Sequence, residues 1–206
     1  MYTAQTILKE LLDISPFPGW KIEKLHDCVN EKISRLEFDL LFPYGAESLV
    51  TAHQAFLKNL LLENIKQMPI ELGVTGKIRW IVQQHFQNIL KYSEAERAIP
   101  QVIHHPSIAL KTPDYIAELT DIIWRTAGDH SIDMNYYTKR ISLGVIYLAT
   151  LSYWHQSHAS IEEIMNFFDH RLEDLKKLTS IGKKYTFSPD NLLKNIRLLK
   201  AHFWDR

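Results

Sequence analysis

Apolar residues recur along this chain at intervals of three and four, and nowhere do they alternate long enough to mark a strand, so the pattern predicts an all-α protein. Ile7, Leu8, Leu11 and Leu12 stripe a first short helix, which Pro16, Pro18 and Gly19 stop. Ile22, Leu25, Val29 and Ile33 stripe a second. Ser34 and Glu37 have the spacing of a capping box, which opens a third helix at Arg35 that ends before Pro43-Tyr44-Gly45. A long fourth helix, 46–68, follows with Leu49, Val50, Phe56, Leu57, Leu60 and Leu61 on its apolar side.

Beyond Pro69 the pattern predicts a second helical body. One helix runs over 75–92, a short one over 97–105, and a third is opened by Thr112-Pro113 and closed by Gly128. The next, entered after Asp133, contains the stretch 141–154, which has no formal charge. It is too short to cross a bilayer core of roughly 30 Å and apolar on every face, so it is expected at the centre of the fold. Ser160 and Glu163 form a second capping box for a helix striped by Ile164, Met165, Phe168, Leu172 and Leu175, and Ser188-Pro189 opens a last one. Three short helices feeding a long one is the layout of a TetR-type helix-turn-helix head. The expected organisation is a degenerate head over 1–45, a helical ligand-binding body over 46–180 and a basic amphipathic tail over 181–206.

Composition adds a core large enough to need no staples: 206 residues, 46% of them apolar. The one cysteine, Cys28, cannot form an internal disulfide and is expected as a small buried thiol in a reducing compartment. The N-terminal residues lack the pattern of a secretory signal or a transit peptide, which suggests a bacterial cytoplasmic protein or a mature organellar form. Net charge is zero, yet residues 176–206 hold eight basic side chains against Asp190 and Asp205, leaving the remainder acidic. Such a segment is drawn to anionic surfaces. The head holds five basic and seven acidic residues, and its would-be reading helix offers Arg35, Glu37 and Asp39, a surface that repels a DNA duplex.

A search for catalytic chemistry finds no nucleophile elbow, P-loop, dinucleotide fingerprint, zincin motif or CxxC. Glu23-x-x-His26 is half of a bundle di-iron motif, but no second Glu-x-x-His exists to complete it. His104-His105 and the trio Asp129, His130 and Asp133 read as turn and cap residues rather than metal ligands. No metal, cofactor or catalytic residue is expected. Aromatics instead crowd the second body, among them Trp80, Phe86, Trp124, Tyr147 and Trp154. Set beside Leu151 and the small polar Ser142, Thr150 and Ser152, these six residues are candidates for lining an apolar-ligand cavity; ordinary core packing is the competing reading.

The segment from Trp124 to Arg140 reads Trp-Arg-Thr-Ala-Gly-Asp-His-Ser-Ile-Asp-Met-Asn-Tyr-Tyr-Thr-Lys-Arg, and it resembles the Coq-nine family of ubiquinone biosynthesis accessory proteins. The likeness continues to Phe168, Arg171 and Asp174 and extends back to Pro18-Gly19-Trp20 and to Leu40-Leu41-Phe42-Pro43. It covers most of residues 5 to 178. The resemblance implies a TetR-like homodimer that no longer reads DNA, a pocket for a polyprenyl quinone intermediate or phospholipid, and a partner surface for the di-iron demethoxyubiquinone hydroxylase, to which the catalysis belongs. Asp133, Met134, Tyr136, Tyr137 and Arg140 are the expected partner-binding residues, with Tyr136 standing where the family usually has tryptophan. Core placement of the two tyrosines is the alternative. Peripheral association with the inner membrane, or with the matrix side of the mitochondrial membrane for an organellar form, is implied as well.

In the tail, Leu192, Ile196, Leu199 and Phe203 share one helical face, Lys194, Arg197 and Lys200 the adjoining one, with Leu193 and Trp204 near the boundary. That is the pattern of an interfacial membrane helix, and the same pattern suits a helix docked on its own dimer. The function expected overall is that of a non-catalytic lipid-binding accessory protein. A TetR-type ligand-responsive transcription regulator is the alternative.

Overall fold

The computed structural model describes residues 2–102, 106–132 and 134–182, and among them every regular element is helical. The helices are α1 (Ala4–Leu12), α2 (Ile22–Asp27), α3 (Arg35–Leu41), α4 (Ala46–Ile65), α5 (Val74–Lys91), α6 (Ser93–Ala98), α7 (Pro106–Thr126), α8 (Met134–Ser157) and α9 (Ile161–Gly182), with one 3₁₀ turn at Ile99–Gln101. No strand occurs among the described residues. The all-α expectation is therefore met. The tail residues Leu192, Leu193, Lys194, Ile196, Arg197, Leu199, Lys200, Phe203 and Trp204 lie outside the described residues, as does Asp133. No helix among the described residues is long and apolar enough to cross a membrane.

Local signals placed most starts correctly. Thr3 caps α1 by accepting from the Thr6 amide, and both capping boxes form: Ser34 with Glu37 at α3, Ser160 with Glu163 at α9. Three stretches differ from expectation. The second helix stops at Asp27, and 28–33 turn irregularly, although Val29 and Ile33 still reach the core. Cys28 consequently sits exposed after the helix, its thiol donating to the Lys24 carbonyl, rather than buried inside one. Pro113 lies within α7, which begins two turns earlier at Pro106, so Thr112-Pro113 is not its start. The short helix precedes its expected place, because Ser93–Ala98 continue almost directly from α5.

By compactness the chain forms two units, 1–140 and 141–206, with the break falling inside α8. In the first unit α4 packs against α1, α5 and α7. Fully buried Ile7, Leu8, Leu11, Leu25, Phe38 and Phe42 hold the short helices together, each such side chain contributing roughly 1.5–3 kcal/mol. The loop after α1 is tied to α6 along its length. Glu94 accepts from the Ser15 hydroxyl and the Phe17 amide, and the Trp20 indole donates to the Ala95 carbonyl at 2.8 Å. One residue on, Glu96 meets His53 of α4 at 3.0 Å, with the Trp20 ring 5.2 Å from that imidazole. His85 of α5 lies 3.0 Å from the Tyr115 hydroxyl of α7. Burial lowers the His85 pKa to about 4, so this imidazole is neutral near pH 7.

In the second unit Ile164, Met165 and Phe168 of α9 are buried, and Tyr153 stacks on Phe167 at 4.5 Å with Arg171 over the same ring. On α8, Leu143, Ile146, Tyr147, Ala149, Thr150 and Trp154 are buried, but Ile141 and Leu148 are exposed. The uncharged stretch is thus covered on one flank and open on another. The expectation of burial on every side is corrected.

Candidate functional site

The segment from Trp124 to Arg140, the longest block of the resemblance, contains the turn between α7 and α8 and the start of α8. Helix α7 closes with a Schellman motif: the Asp129 amide donates to the Trp124 carbonyl at 2.9 Å and the Gly128 amide to the Arg125 carbonyl at 3.0 Å. Gly128 has φ +95°, a conformation only glycine adopts without strain. This turn sends the chain back on itself, so that the Trp124 indole of α7 donates to the Lys139 carbonyl of α8.

Arg140 is the centre of the arrangement, and its side chain is 8% exposed. Its Nε donates to Asp121 of α7 at 2.7 Å and its Nη1 to Asp129 of the turn at 3.1 Å, while the guanidinium carbon stands 3.5 Å from the centre of the Tyr136 ring. The Tyr136 hydroxyl also donates to Asp121 at 3.0 Å, and Arg125 meets the other oxygen of that carboxylate. Asp129 further accepts from Lys139 and from the Ser131 hydroxyl. Burial of Asp129 opposes its ionisation, but the hydrogen bonds from Lys139, Ser131 and Arg140 outweigh that and hold its carboxyl well below the usual carboxylate range. The result is a closed set of charges: two carboxylates, three cations and a tyrosine, each with a partner.

Beside this set lies a surface cleft of about 470 Å³ whose walls include Arg125, Ser131, Ile132, Tyr136 and Tyr137. Around it Ile132, Met134 and Tyr137 are 96%, 66% and 58% exposed. The arrangement offers no nucleophile paired to a base. Among the described residues no group of three or more His, Cys, Asp or Glu is gathered to hold a metal. What it presents is a base braced by ion pairs with large apolar side chains exposed above it.

The structure distributes the sequence-selected residues unevenly. Of the partner-binding set, Met134 and Tyr137 face solvent, Tyr136 is half-buried and Arg140 is buried in the ion pairs. Of the lipid-lining set, Phe86, Tyr147 and Trp154 are buried while Trp80, Trp124 and Leu151 are half-buried. Trp80, Phe86 and Trp124 belong to the first unit; Tyr147, Leu151 and Trp154 belong to the second. Reading by sequence missed Asp121 and Arg125 and took Asp129 for a turn former. The available signals were the i,i+4 spacings of Asp121 with Arg125 and of Tyr136 with Arg140.

These features define an all-α protein whose helical hairpin, braced by a buried ion-pair set, displays apolar and aromatic side chains. Over residues 110–179, which contain that hairpin, the chain matches the COQ9 family model. It is similar to ubiquinone biosynthesis protein COQ9, mitochondrial, of Rattus norvegicus, with 24% identity over 92% of this chain and 64% of the relative. The Schizosaccharomyces pombe coq9 protein is 28% identical over 68% of this chain and 57% of its own length, and the Homo sapiens COQ9 protein 23% identical over 92% and 63%. The resemblance read from the sequence is thus borne out, and the chain spans about three fifths of the length of these curated relatives.

Proposed function

We propose that this chain is a non-catalytic accessory protein of ubiquinone biosynthesis that binds a polyprenyl quinone intermediate or phospholipid and presents it to the demethoxyubiquinone hydroxylase. Its relatives are named ubiquinone biosynthesis proteins, which supports the pathway. The observation that carries the docking role is the hairpin. Asp121, Asp129 and Arg140 fix the first turns of α8, and Ile132, Met134 and Tyr137 stand exposed on that fixed base. A backbone already fixed loses little conformational freedom on association, and large apolar side chains carried on it bury much area. On this reading the build is TetR-like and homodimeric, Trp80, Phe86, Trp124, Tyr147, Leu151 and Trp154 contribute to lipid binding, and segment 190–204 engages an anionic membrane at the bacterial inner membrane or the mitochondrial matrix face.

Replacing Met134 and Tyr137 together by alanine tests the docking role without touching the ion pairs. Binding to the hydroxylase, measured by titration of the purified proteins, is expected to weaken by about 30-fold, on the order of 2 kcal/mol, with the melting temperature unchanged. Tyr136→Phe, which removes only the hydroxyl bound to Asp121, is the control for indirect effects. Unchanged affinity in the double variant would overturn the assignment. Mass spectrometry of lipids extracted from the pure protein is expected to show a copurifying isoprenoid or phospholipid.

A further inference from the structure

The helix in the position of a DNA reader has an unusual solvent face. On α3, Phe38 is fully buried, and Phe42 just after it is 1% exposed. Turned the other way, Leu36 and Leu40 are one helical turn apart and 71% and 72% exposed, and Tyr44 in the turn beyond is 72% exposed. Single exposed leucines are ordinary, but three large apolar side chains within nine residues, on a short helix that needs only its inner face for folding, make a patch. Its surroundings are acidic. Glu37 caps the helix, Asp39 is paired with Arg35, and Glu23 and Asp27 of α2 are close enough to act electrostatically on Arg35. Arg35 is the only cation on α3; Lys21 and Lys24 lie at and on α2.

An apolar patch with an acidic rim fits an apolar stripe with a basic rim, and the sequence of this chain contains one. Leu192, Ile196, Leu199 and Phe203 recur at helical spacing beside Lys194, Arg197 and Lys200. We propose that the outer face of α3 is the docking site for segment 190–204 of a second copy of this chain. Leu36, Leu40 and Tyr44 take the apolar stripe, and Glu23, Asp27 and Glu37 face the lysines and arginine. The exchange is reciprocal, each copy's segment lying on the other's head, which gives a closed two-fold pair rather than a growing chain of copies. The same basic apolar stripe is then withheld from other anionic surfaces while the pair persists.

The test uses full-length protein carrying Lys194→Glu, Arg197→Glu and Lys200→Glu as receptor, so that its own segment does not compete, and a fluorescein-labelled peptide of residues 183–206 as probe. Fluorescence anisotropy is expected to show saturable binding that weakens as salt rises. Adding Leu36→Ser and Leu40→Ser to the receptor is expected to weaken binding at least tenfold with the melting temperature unchanged, since both side chains face water. Glu23→Lys with Asp27→Lys is expected to weaken it by a similar factor without altering any apolar contact. Carbodiimide cross-linking of mixed ¹⁴N and ¹⁵N wild-type protein is expected to join head carboxylates of one isotope to Lys194 or Lys200 of the other. Failure of the peptide to bind, affinity indifferent to both pairs of substitutions, peptide binding to anionic vesicles only, or cross-links confined to one isotope would each overturn the proposal. None of these readouts involves the hydroxylase or a quinone, so failure here leaves the accessory role standing.

Discussion

Arg140→Ala is the substitution that asks most of the hairpin. The arginine is nearly enclosed and serves Asp121 and Asp129 at once, with its guanidinium flat on Tyr136. Removing one member of a buried ion pair costs about 3–5 kcal/mol, because the stranded charge stays out of water. Here each carboxylate keeps another donor: Asp129 retains Lys139 and Ser131, and Asp121 retains Arg125 and Tyr136. The lower end, about 3 kcal/mol, is therefore expected. For a chain of this size each kcal/mol lowers the melting temperature by about 2–4 °C, so differential scanning calorimetry should record a drop of about 6–12 °C. Arg140→Lys keeps the charge but not the fork that spans two carboxylates, and should lose about half as much. A melting temperature within about 2 °C of wild type for Arg140→Ala would refute the assignment of Arg140 as the brace.

Two further outcomes follow from the same geometry. Gly128→Ala should cost about 1 kcal/mol by thermal melt although open space surrounds the site, because the strain lies in φ +95° and not in crowding; no loss would contradict the Schellman closure. His85 binds its proton with a pKa of about 4 in the folded chain against 6.5 when unfolded, so between these values the unfolded state holds more protons. Stability is complete above pH 6.5 and falls by up to about 3 kcal/mol as pH drops toward 4, and His85→Gln should flatten that slope in urea titrations across this range.

Most of the helices were legible because their causes are local. A capping box needs four residues, and both boxes were readable as spacing alone. Endings depended on tertiary packing and were read less well: Val29 and Ile33 are buried as their period requires, yet on an irregular turn, since burial at these positions does not demand a helix. Proline at position 113 reads as a start signal because that is where proline is most tolerated, but α7 accommodates it within its length. The candidate site was legible as a block of sequence and not as a mechanism. Its pairs join Asp121 and Asp129 to Arg140 across 19 and 11 residues, and only the turn at Gly128 brings them together. Tyr136 and Tyr137, left open between core and surface, divide between the two: the first turns its ring under Arg140, the second faces water.

The ties between the loop after α1 and α6 bear on how the chain comes off the ribosome. Ser15, Phe17 and Trp20 find their hydrogen-bond acceptors at Glu94 and Ala95, 75 to 79 residues later. At about 5–20 residues per second, the emerging head waits roughly 4–15 s for the acceptors that complete it. During that interval the Ser15 hydroxyl, the Phe17 amide and the Trp20 indole lack these acceptors. The loop after α1 gains these hydrogen bonds only after α6 has been made.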